Sequence, residues 1–125
     1  MKKNLKLLVV DDDEIILNTL ASFLEDEGFV IYPCSNAEQA LEIVSKEIVD
    51  AGIIDIRLPG MDGDEFIIKA HGLNNSIRFI IYTGSITNFY NKSLLGIGMK
   101  PEDIIYKPVL DMDIILKAIN RVLSL

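Results

Sequence analysis

Positive charge, cysteine, histidine and long apolar runs are all scarce in this chain of 125 residues. Twelve Lys and Arg face 19 Asp and Glu, for a net charge of −7. That balance argues against non-specific nucleic-acid binding, which needs clustered cations. The one basic stretch, Met1-Lys2-Lys3-Asn4-Leu5-Lys6, is followed by only four apolar residues before the aspartates begin. No signal-peptide core fits there, and no apolar stretch reaches the length of a membrane span. Cys34 is the only cysteine, so an internal disulfide is excluded. It ends Val30-Ile31-Tyr32-Pro33-Cys34, which reads as a strand, and a buried, inert thiol is expected there rather than a redox sensor. His71 is the only histidine, and its neighbours Ala70 and Gly72 suggest a helix end. A solvated or C-capping role is expected for it rather than a phosphohistidine. A cytoplasmic location is the default. Repeats, linkers and low-complexity segments are absent, and the length suits one domain, residues 1–125.

What the chain does have is a regular alternation of apolar runs and helical patterns. That is the mark of βαβ units and a parallel sheet. Strands are expected at Leu5 to Val10, Val30 to Cys34, Ala51 to Ile54, Arg78 to Tyr82 and Asp103 to Tyr106. A first helix follows from Ile15, Ile16, Leu20, Phe23 and Leu24, with Gly28 as its stop. Ser35 and Glu38 form a capping box for a second helix through Val44. A third helix is expected near Asp64 to Ala70, after the turn-rich Leu58-Pro59-Gly60-Met61-Asp62-Gly63. Ile86 to Gly98 is a polar-diluted fourth helix. Asp111 to Leu125 is an amphipathic fifth, with Ile114, Ile115, Ala118, Ile119 and Val122 on its apolar side.

Four short pieces stand just past the apolar runs: Asp11-Asp12-Asp13, Asp55, Thr83 and Lys107-Pro108. In an open α/β sheet, chemistry collects at the carboxyl ends of the strands. Asp13 suits a helix N-cap. Three adjacent carboxylates exceed what capping needs, and a bound cation would relieve their repulsion. Hard oxygen ligands point to Mg²⁺, with Mn²⁺ as the alternative. Asp55 and Lys107 each end an apolar strand, where a lone charge is costly. An ion pair between them would solve both problems.

Together these residues resemble the receiver domain of bacterial two-component response regulators, including the stand-alone chemotaxis type. The matching motifs are Val9-Val10-Asp11-Asp12-Asp13, Asp55-Ile56-Arg57-Leu58-Pro59-Gly60-Met61-Asp62-Gly63, Tyr82-Thr83-Gly84 and Lys107-Pro108. They stand in the right order, each after the right strand. The resemblance implies a flavodoxin-like α/β fold: a doubly wound, five-stranded parallel sheet of order 2-1-3-4-5 with five helices. It implies that Asp55 accepts a phosphoryl group from a histidine kinase or phosphotransfer domain. Asp12 and Asp55 would bind Mg²⁺ directly and Asp11 mostly through water, with the backbone carbonyl of Arg57 as a further ligand. Lys107 would pair with Asp55 and then with the phosphoryl oxygens. Thr83 would hydrogen-bond the phosphoryl group, and Pro108 would follow a cis peptide. Such a chain is a signalling receiver that catalyses only its own phosphorylation and dephosphorylation. Its output goes to an unidentified partner or a fused effector domain.

The chain departs from the pattern at Ile104. Receivers usually carry an aromatic residue there, which rotates as the switch threonine moves. Tyr106 does not replace it, because a shift of two along a strand keeps the face but changes the depth. Gly96 to Asp103 looks longer than usual, as a tolerated surface insertion or a partner-specific surface. The side chains of Arg57 and Ser85 are expected to tune the lifetime of the phosphoryl group. Three other functions compete. A phosphatase of the haloacid dehalogenase type needs an Asp where Arg57 stands. A flavin carrier needs a phosphate loop where Asp11-Asp12-Asp13 would repel phosphate. A pseudo-receiver acting only as an interaction module is opposed by the complete acidic and Lys set, and kept open by Ile104.

Overall fold

The computed structural model describes residues 4–84 and 92–125. The strands are β1 (Lys6–Val10), β2 (Val30–Cys34), β3 (Ala51–Ile54), β4 (Arg78–Thr83) and β5 (Ile104–Tyr106). All pairings are parallel, and the order is β2-β1-β3-β4-β5. The helices are α1 (Glu14–Asp26), α2 (Ala37–Lys46), α3 (Gly63–Leu73), α4 (Lys92–Gly96) and α5 (Asp113–Leu123). The expected fold is therefore the observed one. No helix among the described residues is long and apolar enough to cross a membrane.

Continuous apolar strands arise because both faces of the sheet are covered. Side chains alternate along each strand. Leu8, Val10, Ile54 and Ile81 pack with Ala40 and Val44 of α2, Phe66 and Ile67 of α3 and Leu94 of α4. Leu7, Val9, Ile53 and Ile80 pack with Leu17, Leu20 and Leu24 of α1 and Ile115 and Ile119 of α5. Phe66 and Phe79 meet edge to face, with centroids 6.3 Å apart and planes at 89°, a favoured aromatic geometry.

Helix ends follow local chemistry. Asp13 caps α1, its Oδ1 accepting the Ile15 and Ile16 amides at 3.0 and 3.2 Å. Gly28 takes φ +99° just past that helix, a left-handed residue that a β-carbon would strain. The cap of α2 lies one residue later than expected. Asn36 Oδ1 accepts the Gln39 amide at 2.8 Å, and Gln39 Oε1 accepts the Ser35 amide at 3.2 Å. Ser35 and Glu38 thus do not form the capping box. Asn is an equally good cap, and starting there points Ala37, Ala40 and Val44 inward. Glu38 instead accepts the Met61 amide at 3.3 Å, across from α2 to the loop after β3.

Two apolar residues assigned to helix faces lie outside the core. Ile15 is 79 % exposed and Ile114 45 % exposed, each on the first turn of its helix. α4 is described only from Lys92, and residues 86–91 of its expected span lie outside the described residues. After it, Gly98 takes φ +94°, and the Met99 amide donates to Leu94 O at 3.2 Å. A 3₁₀ turn over Pro101–Asp103 then leads into β5. The stretch judged long is tied down. Buried Asp103 accepts the Lys100 amide at 2.9 Å and pairs with Arg121 of α5 at 3.2 Å.

Candidate functional site

The hydrogen-bond ladder runs one residue past the strand ends and so fixes three backbones at one edge. The Asp11 amide donates to Cys34 O at 3.1 Å, the Asp55 amide to Val10 O at 2.9 Å, and the Lys107 amide to Thr83 O at 2.8 Å. The residue after each apolar run is thereby delivered to the carboxyl edge of the sheet. The peptide before Pro108 is cis, as expected. Asp11, Asp12, Asp55, Arg57, Thr83 and Lys107 line one open cleft there, with Asp13, Ile16 and Gly84. The carboxylates, Arg57, Thr83 and Lys107 expected at the site from the sequence are therefore brought together. Ser85, assigned a tuning role, lies outside the described residues.

Lys107 organises the charges. Its Nζ donates to Asp11 Oδ2 at 2.6 Å and to Asp55 Oδ2 at 3.1 Å. The Asp55 pair was expected; the shorter bond to Asp11 was not. Nζ also lies 5.4 Å from the centroid of the Tyr82 ring, within cation–π reach. Tyr82 carried no sequence signal beyond its place before Thr83. Asp11, Asp55 and Thr83 are buried, whereas Asp12 is exposed. Asp11 Oδ1 also accepts the Asp13 amide at 2.9 Å.

Burial pushes the Asp11 carboxyl above its ordinary range, and the bonds from Lys107 and the Asp13 amide only partly offset it. For Lys107, burial acts to lower the ammonium, but Asp11 and Asp55 outweigh it and hold the group above its ordinary value. The lysine is thus firmly cationic.

One ammonium does not balance this cluster. Asp11, Asp12 and Asp55 each offer a carboxylate oxygen, and the three oxygens lie within 4.8 Å of one another. Against Lys107 alone, three carboxylates leave an excess of two negative charges. Hard oxygen donors with that excess fit a divalent cation of the Mg²⁺ class.

The sequence matches the family described as the response regulator receiver domain over residues 7–120. Sporulation initiation phosphotransferase F of Bacillus subtilis is 39% identical over 80 residues, 64% of this chain and 64% of that protein. A CheY-like receiver domain protein from Methanospirillum hungatei superposes with a TM-score of 0.88 at 30% identity, covering 98% of this chain and 95% of that one. A response regulator from Burkholderia pseudomallei, solved with a phosphorylated aspartic acid and a calcium ion, gives 0.82 at 25% identity, covering 97% and 69%. The chain spans between 27% and 64% of the length of four curated relatives that it matches.

Proposed function

This chain belongs to the response regulator receiver domain family, and from that premise we propose that Asp55 is its phosphoacceptor, served by Lys107, Thr83, Asp11 and Asp12. The observation that carries the assignment is the position of Lys107 Nζ. It bridges buried Asp11 and buried Asp55 in one three-carboxylate cluster. No other described aspartate combines burial at a strand end with the Pro59-Gly60 loop beyond it.

The phosphoryl group comes from a phosphohistidine of a histidine kinase or phosphotransfer domain. An Asp55 carboxylate oxygen attacks phosphorus, the P–N bond breaks, and its electron pair stays on the imidazole, which takes up a proton. The product is an acyl phosphate. Phosphoryl transfer is helped mainly by positioning and charge neutralisation. Lys107 supplies one fixed positive charge beside the transferred oxygens. Asp11, Asp12 and Asp55, with the Arg57 carbonyl, would hold Mg²⁺, and Mn²⁺ suits the same donors. When bound, that ion neutralises charge on the phosphoryl oxygens. Thr83 hydrogen-bonds the phosphoryl group and reports it to β4 and the loop beyond. The modification adds charge of about −1.5 to −2 and strong acceptor oxygens.

The chain acts as one receiver unit, promoting only its own phosphorylation and hydrolysis. Its donor docks at the acidic edge, where Ile15 and Leu110 stand exposed on the α1 and α5 side. A cytoplasmic setting goes with a kinase donor. The output is an unidentified protein or a fused effector.

Acetyl phosphate with Mg²⁺ should add one phosphoryl group to the parent, read by intact-mass analysis. Asp55→Asn should take none, and an equal adduct on that variant refutes the assignment. Asp12→Ala should bind Mg²⁺ much more weakly in an NMR titration of amide shifts.

A further inference from the structure

Between Asp55 and α3 the chain makes a loop, Ile56 to Asp62, that carries Arg57. Its return is fixed by the Gly63 amide, which donates to Ile56 O at 2.8 Å. Gly63 is buried and is the first residue of α3. Its φ lies in the ordinary range, so the demand for glycine here is one of space. A β-carbon at Gly63 would overlap the carbonyl oxygen of Asp55, stand 2.9 Å from its carbonyl carbon and meet Ile54 Cγ2 at 3.0 Å. Two of these three neighbours are backbone atoms of Asp55, and no side-chain rotation relieves such a contact. The loop is also touched from α2, where Glu38 accepts the Met61 amide. That bond is 3.3 Å long and exposed, so it is too weak to set the geometry.

We propose that Gly63 is a positioning residue for the site. Its missing side chain lets α3 seat directly on the Asp55 peptide, and this contact sets where the Asp55 carboxylate and the Arg57 carbonyl stand. The proposal rests on the reading of Asp55 as phosphoacceptor and of these groups as Mg²⁺ ligands. Displacing a reacting group by about 1 Å can cost on the order of a hundredfold in rate. A methyl group at Gly63 forces a shift on that scale.

The test compares Gly63→Ala with Gly72→Ala, a second glycine of α3 whose β-carbon would meet nothing within 4 Å. Each is titrated with Mg²⁺ by NMR, phosphorylated with acetyl phosphate, and unfolded in urea. Gly72→Ala should match the parent in affinity and rate. Folded Gly63→Ala should bind Mg²⁺ about tenfold or more weakly and take up phosphoryl groups more slowly by a similar factor. Its Asp55 and Ile56 amide resonances should already be displaced in EDTA. A folded Gly63→Ala with parental affinity and unmoved Asp55 resonance overturns the proposal, even if its urea midpoint falls. The Gly63→Ala/Gly72→Ala double variant in trimethylamine N-oxide guards against loss of the fold. Failure to fold there also overturns it, since glycine would then serve the fold and not the site. If the parent itself takes no phosphoryl group on Asp55, the functional assignment fails, whatever Gly63→Ala does.

Discussion

Lys107 holds two buried carboxylates that would otherwise face each other unscreened. Its side chain is 13% exposed and those of Asp11 and Asp55 are 3% and 9% exposed. Removing one member of a buried pair strands the other charges, so Lys107→Ala should cost about 3 kcal/mol near neutral pH. The sign of the pH dependence follows from two shifts. Lys107 is held above its ordinary value, so its contribution is complete below the unfolded lysine pKa and fades as pH rises through the folded one. Asp11 is also raised, so its ionised form costs stability that is relieved as pH falls through its folded value. Without Lys107 the Asp11 carboxyl rises further, and protonation relieves the stranded pair. Urea unfolding of parent and Lys107→Ala should therefore give a gap that is widest near pH 7 and narrows on mild acidification. A gap that widens toward acid would contradict this balance. At this scale the sequence was legible where a charge ended an apolar run. Asp55 and Lys107 stood out because burial makes each need a partner. The shorter bond to Asp11 did not, since which of two carboxylates an ammonium approaches depends on packing across 96 residues of chain. Buried Asp103 was equally hidden, because a carboxylate expected to open the fifth strand ordinarily reads as solvated, whereas it closes the 3₁₀ turn before β5.

Among the elements, β5 is the one where the sequence departs from the pattern that the family resemblance leads one to expect, at Ile104. It has three residues, pairs Ile104 with Ile81, and sets Tyr106 beside Thr83 at the strand end. Ile104 is half-buried against the side of the sheet that α2, α3 and α4 cover. Tyr106 is 49% exposed. A β-branched residue in a strand has few χ1 choices, so Ile104 offers no ring swing to couple to Thr83. A phosphoryl signal biases only the segments whose two states differ. Beryllofluoride with Mg²⁺ should therefore shift the backbone resonances of Thr83 and Gly84 strongly, and those of Ile104 and Ile105 little. The reverse pattern would refute this route. Residues 85–88, where the change should continue, lie outside the described residues. Elements with continuous apolar runs were read almost to the residue, because two-sided burial dictates their composition. Caps were read less well. At α2 two adjacent polar residues, Ser35 and Asn36, could each serve, and backbone geometry chose Asn36.

Across the whole molecule, the two apolar layers and the single acidic edge divide the labour of the chain. The layers were legible because alternation along β1 sends Leu7 and Val9 one way and Leu8 and Val10 the other. Strand order was not readable from alternation, which is silent about neighbours, and came only through the family resemblance. One feature joins the layers to the edge. Cys34 ends the edge strand β2, its thiol sealed in the core and pushed up to about 11 by burial, while its carbonyl holds the Asp11 amide. Thiol reagents attack the thiolate, so Cys34 should stay silent until β2 parts from β1. That same parting releases Asp11 from its place beside Lys107. Dithionitrobenzoate should label the native chain far more slowly than the chain in urea, and Mg²⁺ should slow it further by the factor 1 + [Mg²⁺]/Kd. Labelling indifferent to Mg²⁺ would show the edge and the core opening separately. Coupled in this way, the one thiol acts as a stopwatch inside the protein. Without touching the acidic cluster, it times how long the cluster stays assembled.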